Sequence, residues 1–187
     1  GPLHRQRLDV YEPRAAQPAK GWPVVVFYYG GSWNRGERAQ YRFVGEALAS
    51  RGILTLVADY RLYPEVRYPD FLRASAAALS SGLDHDADWG GNPERSPQQL
   101  AGWIGLAGPY DFLPLTNLDA VPVFHHPNYP ANSQPLDHVQ PGAPRALLLA
   151  ASEADLVNPQ RNTAGIAKRL GAAQLPVLVK MPTRVNP

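Results

Sequence analysis

Two apolar runs constrain this chain more than any other feature in it. Pro23–Tyr29 (PVVVFYY) and Ile53–Tyr60 (ILTLVADY) are rich in β-branched and aromatic residues and lack the apolar–polar alternation of a half-wet strand. A strand without alternation is covered on both faces, which is the habit of parallel sheets. Between them, Tyr41–Gly52 (YRFVGEALASRG) spaces Phe43, Ala47, Leu48 and Arg51 at helical intervals and stops on glycine. Strand, helix, strand in that order is a parallel crossover unit, and such units are right-handed.

The alternation continues. Pro69–Leu83 is alanine-rich with proline in its first turn, which predicts a helix. Leu100–Gly108 and Arg145–Ser152 read as strands, Asn162–Ala173 as a helix and Leu175–Pro182 as a last strand. Before all of these, Arg7–Pro13 alternates and ends in proline, the mark of an edge strand. Residues 109–144 are rich in proline and asparagine, have little periodicity and predict a long irregular excursion of the functional or lid type. The expectation is an α/β fold: a mostly parallel sheet flanked by helices, in one domain over residues 1–187. Ligands of such sheets sit beyond the carboxyl ends of the strands, where Gly30-Gly31, Asp59, Gly108 and Asp155 all fall.

Composition removes several functions. Net charge is +2 with the basic residues scattered, which gives nucleic-acid and membrane-surface binding no support. No apolar run reaches the length of a membrane span. Without cysteine there are no disulfides or thiolate metal sites, and the compartment stays open between cytoplasm and periplasm or secretion. The chain begins Gly1-Pro2 and its one methionine is Met181, so it is expected to be trimmed or cut from something longer.

Two candidate positions follow from the residues themselves. Gly30-Gly31 after a buried strand is either a plain turn or a loop whose backbone N–H groups are left for a negative oxygen. Asp155, just past a late strand, is either a solvated turn residue or cap, or a carboxylate placed to orient an imidazole. Asp59 and Arg61 read as structural salt-bridge residues under the glycine loop, and Asp111 as a turn residue. His125 and His126 read as exposed loop histidines, and His138 as structural.

Four segments taken together are more specific: YYGGSW (Tyr28–Trp33), ADYRLYPEVRYPDF (Ala58–Phe71), GLAGPYDFLP (Gly105–Pro114) and ASEADLVNP (Ala151–Pro159). In this order they resemble the carboxylesterase/lipase branch of the α/β-hydrolase fold, with an HGGxW-type oxyanion loop, close to polysaccharide-ester esterases and aryl-formamidases. The resemblance implies that Gly30, Gly31 and Ser32 form the oxyanion loop, with the N–H of Gly31 or Ser32 aimed at the oxyanion. Tyr29 and Trp33 would line the substrate pocket, and Asp155 would hold the place of the triad acid. It also implies serine-esterase chemistry on small acyl or aryl esters, without a cofactor or metal.

The chain departs from that pattern in three places. No serine lies in G-x-S-x-G. The nearest miss, Ser80 in Ala78–Gly82, falls inside the helix expected over Pro69–Leu83, and one strand–elbow–helix unit is expected to be missing between Arg95 and Ser96. No histidine follows Asp155, the five being 4, 85, 125, 126 and 138. Tyr29 stands where the motif has histidine. The 187 residues alone are therefore expected to be catalytically impaired. The alternatives are a non-catalytic remnant that binds a small ligand or partner, and an aryl-formamidase-like hydrolase. Without the central strand, the sheet is expected either to break or to draw Leu100–Gly108 in beside Val24–Tyr29. In the second case that stretch has no helix behind it and leaves apolar surface exposed on one face; low stability or pairing with another chain is the expected consequence.

Overall fold

The computed structural model describes residues 4–92, 100–150 and 157–180. Strands and helices alternate over them: β1 (Leu8–Tyr11), β2 (Val24–Tyr28), α1 (Arg42–Ala49), β3 (Leu54–Ala58), α2 (Asp70–Asp84), β4 (Trp103–Leu106), β5 (Ala146–Leu149), α3 (Gly165–Ala172) and β6 (Val177–Lys180). The chain divides into two compact units, Gly1–Gln98 with Asn117–Tyr129, and Gln99–Thr116 with Pro130–Pro187. Among the described residues no helix is long and apolar enough to cross a membrane.

In the first unit the strand order is β1-β3-β2. β2 runs parallel to β3, and β1 pairs antiparallel on the other edge of β3, in the edge position its sequence predicts. β3 is buried at every position, but β2, expected to be buried on both faces, is only half-buried along its length. The cause is position: β3 has a strand on each side, whereas β2 ends the sheet among the described residues.

Glycines set how closely the helices approach. At Gly82 of α2 a Cβ would stand 2.8 Å from the Leu56 side chain, with Leu8 and Val26 next to it. Tyr11, an odd number of residues from Leu8, points to the other face. There its ring occupies the space of a Gly45 Cβ, which would lie 2.3 Å from Tyr11 Cδ2. α1 stops as its sequence predicts: Gly52 adopts φ 77°, and the Ile53 N–H donates back to the Leu48 carbonyl at 3.2 Å.

In the second unit β4, β5 and β6 are all parallel. Trp103, Ala146, Leu148 and Val177 pack one face of this sheet against Ile166 and Leu170 of α3. On the other face Ile104, Leu147 and Leu178 stand opposite one another across the three strands. Ile104 is 57% exposed, Leu106 54% and Leu178 57%. β4 pairs in parallel with β5, Trp103 opposite Ala146 and Leu106 opposite Leu149. Its register is fixed by β5, and the ladder runs on through the Ala107 N–H to the Leu149 carbonyl at 2.8 Å.

Candidate functional site

The chain leaves β2 into a strained turn. Gly31 has φ 136°, Ser32 φ 51° and Trp33 φ 60°, and the Gly31 carbonyl accepts from the N–H groups of Asn34 and Arg35, both at 3.1 Å. Glycine is required at 31, where a Cβ would lie 2.2 Å from the Arg35 carbonyl oxygen. Ser32 and Trp33 lack that freedom, and a left-handed conformation costs each about 1–2 kcal/mol. Successive turn residues of this kind gather N–H groups into a concavity suited to an anion. Among the described residues, none accepts a hydrogen bond from the N–H of Gly31 or Ser32.

The strain is held by a clasp that the sequence does not announce. Asn117 Nδ2 donates to Ser32 Oγ at 3.2 Å, and Asn34 Nδ2 donates to the Asp119 carbonyl at 3.2 Å. A short 3-10 turn, Val121–Phe124, buries Val123 and Phe124 fully. The Phe124 ring stands edge-on to Trp33 at 4.9 Å and stacks on Tyr68 at 5.6 Å. The Tyr68 N–H donates to the Val123 carbonyl at 2.9 Å, and the Tyr63 N–H to the Trp33 carbonyl at 2.9 Å. Part of the proline-rich excursion is thus a packed strap on the glycine loop. Its only local signal is the apolar Val121-Pro122-Val123-Phe124 inside a polar stretch.

Beneath the loop lies a charged network. The Tyr29 side chain is buried, and its hydroxyl donates to Asp59 Oδ1 at 2.7 Å. The Arg38 N–H donates to the same oxygen at 2.9 Å, and the Arg38 guanidinium bonds Asp59 Oδ2 and, at 2.8 Å, Asp9 Oδ1. Burial alone would raise the Asp59 pKa, but the hydrogen bonds from Tyr29 and Arg38 outweigh it and hold the carboxyl below its ordinary value. Burial, then the bond to Asp59, pushes the Tyr29 hydroxyl well above its ordinary value. Burial raises Tyr28 and Tyr60 to about 12. Asp59 is the structural ion-pair residue expected, but with Arg38; Arg61 instead pairs with Glu65 at 2.7 Å, one helical turn away in sequence.

A cavity of about 420 Å³ opens beside the loop, bounded by Gly30, Gly31, Arg35, Gly36, Gln40 and Tyr41. Tyr29 and Trp33, the pocket residues implied by resemblance, do not border it. The Tyr29 ring stacks between Tyr41 at 5.4 Å and Tyr60 at 5.1 Å, and Trp33 packs on Phe71 and Phe124. Ser80 is exposed on α2. His125 bonds the Tyr68 carbonyl at 2.8 Å, His126 the Tyr129 hydroxyl at 3.1 Å and His138 the Asn132 carbonyl at 2.7 Å. In the second unit Asp111 pairs with Arg161 at 2.9 Å, and Ala107 closes β4 with φ 49°. Asp155, the Arg95–Ser96 junction and residues 181–187 lie outside the described residues.

Parts of the chain are similar to known proteins. A BD-FAE family model matches residues 8–95. The probable isoprenylcysteine alpha-carbonyl methylesterase ICMEL1 of Arabidopsis thaliana is 35% identical over 95 residues, 51% of this chain and 20% of that protein. Carboxylesterase NlhH of Mycobacterium tuberculosis is 40% identical over 74 residues, 39% of this chain and 23% of the relative. The matched segment thus spans about a fifth of the length of these relatives. Apo Thermogutta terrifontis esterase 2 superposes with a TM-score of 0.74 at 20% identity, covering 94% of this chain and 77% of its own. A propionate-bound structure of that esterase gives a TM-score of 0.73 with the same coverage of both chains.

Proposed function

Because the chain has a carboxylesterase-type α/β-hydrolase fold, we propose that its glycine loop is an oxyanion site for carboxylic esters with small acyl or aryl groups. Within these 187 residues the site binds the carbonyl compound without turning it over. The observation that carries this reading is the loop itself: three consecutive left-handed residues, held there by the Asn117–Phe124 strap, with the N–H groups of Gly31 and Ser32 uncommitted among the described residues.

The chemistry follows from that geometry. When a nucleophile adds to an ester, the carbonyl oxygen takes up a full negative charge. Donors already aimed at that point stabilise the transition state without having to reorganise, and a single donor is worth about 3 kcal/mol. The Ser32 N–H and the Gly31 N–H are the donors this chain supplies. Asp59, Arg38 and Tyr29 bond one another and hold the floor of the loop. The nucleophile is the missing part, since no serine here lies in the strand-to-helix elbow motif that exposes one.

Propionate, bound in a structure of Thermogutta terrifontis esterase 2, is the probe. Titrated into 15N-labelled protein, it is expected to move the Gly31 and Ser32 amide resonances most. Shifts confined to other residues, or no saturable shift, would reject the reading.

A further inference from the structure

The walls of the cavity beside the loop say what else its ligand carries. Three of its six lining residues bear polar side chains: Arg35, Gln40 and Tyr41. Among the described residues, the Gln40 carboxamide and the Tyr41 hydroxyl form no hydrogen bond. Among the described residues the Arg35 guanidinium has one partner, the Asp119 carboxylate, at 4.0 Å, with the two side chains 63% and 67% exposed. Among the described residues of the unit that is the loosest ion pair; Arg38, three residues on, holds Asp9 at 2.8 Å. Asp119 is fixed from behind, since its carbonyl accepts from Asn34 and its N–H donates to Asn117 Oδ1 at 3.0 Å. The strap thus presents a carboxylate to Arg35 at 4.0 Å, beyond hydrogen-bond contact.

We propose that this cavity binds a second carboxylate, so that the preferred ligands are half-esters of short dicarboxylic acids. The ester carbonyl lies at the Gly31 and Ser32 N–H groups, and the free carboxylate sits on Arg35 in place of Asp119. Gln40 and Tyr41 supply further donors. A guanidinium facing a carboxylate at full contact makes two short parallel bonds, which the pair with Asp119 at 4.0 Å does not. Gly30 and Gly31 of the loop and Gln40 and Tyr41, just ahead of α1, border the same cavity.

This inference rests on the oxyanion reading, and the experiment separates the two. Succinate and propionate are titrated into the 187-residue chain and read by the 15N shifts of Gly31, Ser32 and the Arg35 side chain. Succinate is expected to bind about tenfold more tightly than propionate, the worth of one good charge-assisted contact. Arg35→Gln should abolish that advantage, so that succinate and propionate bind it with equal affinity. Asp119→Asn should tighten succinate by about twofold to fivefold, because it removes an exposed competitor of that strength. Equal affinity for the two acids, or a succinate advantage that survives Arg35→Gln, overturns the inference and leaves the oxyanion site standing. Binding of succinate at Arg35 without movement of Gly31 and Ser32 overturns the oxyanion reading, and with it the half-ester.

Discussion

At the scale of single residues, the glycine loop and the carboxylate beneath it answer to different tests. Asp59 is buried with its carboxyl held below the ordinary value, so its ionised form favours the folded chain. That contribution is complete above the ordinary aspartate pKa and is lost as pH falls through it toward the lower folded value. Denaturant titrations across the acid range should show this as an acid limb. Asp59→Asn should flatten the limb and cost about 3 kcal/mol at neutral pH, because it leaves Arg38 without its inner partner. An unchanged limb in Asp59→Asn would show that the carboxylate contributes nothing. In the loop, Gly31→Ala forces a Cβ onto the Arg35 carbonyl at φ 136°, and propionate-induced shifts at Ser32 should disappear. Ser32→Gly relieves a strained φ and gives up one bond to Asn117, so its stability should stay within about 1 kcal/mol of the parent.

At the scale of elements, helix approach depends on missing side chains. Gly45→Ala puts a methyl group where the Tyr11 ring lies, and should destabilise the first unit by about 1–3 kcal/mol. Tyr11→Leu in the same chain should recover part of that loss; if it does not, the contact between α1 and β1 is not the cause. Much of the element order was legible in the sequence, because unbroken apolar runs, an alanine-rich stretch and a glycine stop are local signals. Val24–Tyr28, Leu54–Ala58 and Asp70–Asp84 all emerge within a residue or two of where their sequence puts them. What was not legible is non-local. Nothing around Val24–Tyr28 tells that it ends a sheet while Leu54–Ala58 sits in the middle. Nothing near Asp59 points to Arg38 rather than Arg61. The docking of Val121–Phe124 on Trp33 depends on residues some ninety positions apart. For the site, Gly30-Gly31 was legible as a turn or an anion loop, but the left-handed Ser32 and Trp33 that follow have no signature in residue type.

At the scale of the whole molecule, the parallel sheet of the second unit carries α3 on one face and leaves Ile104, Leu106 and Leu178 more than half exposed on the other. Parallel sheets are ordinarily covered on both faces, and an apolar row of this kind favours association. Sedimentation should show a weight-average mass that rises with concentration, and Ile104→Lys with Leu178→Lys should return it toward the monomer. A mass independent of concentration would count against the row as a contact surface. The proposal is a hydrolase-type oxyanion loop, strapped in place by Asn117–Phe124, in a sequence with no serine in G-x-S-x-G. Its most direct test is the intact mass of the purified protein after incubation with a fluorophosphonate. The account predicts a mass that stays at 20.5 kDa with no adduct. A stoichiometric adduct on any of its serines would contradict it, because an activated nucleophile would then lie within these residues.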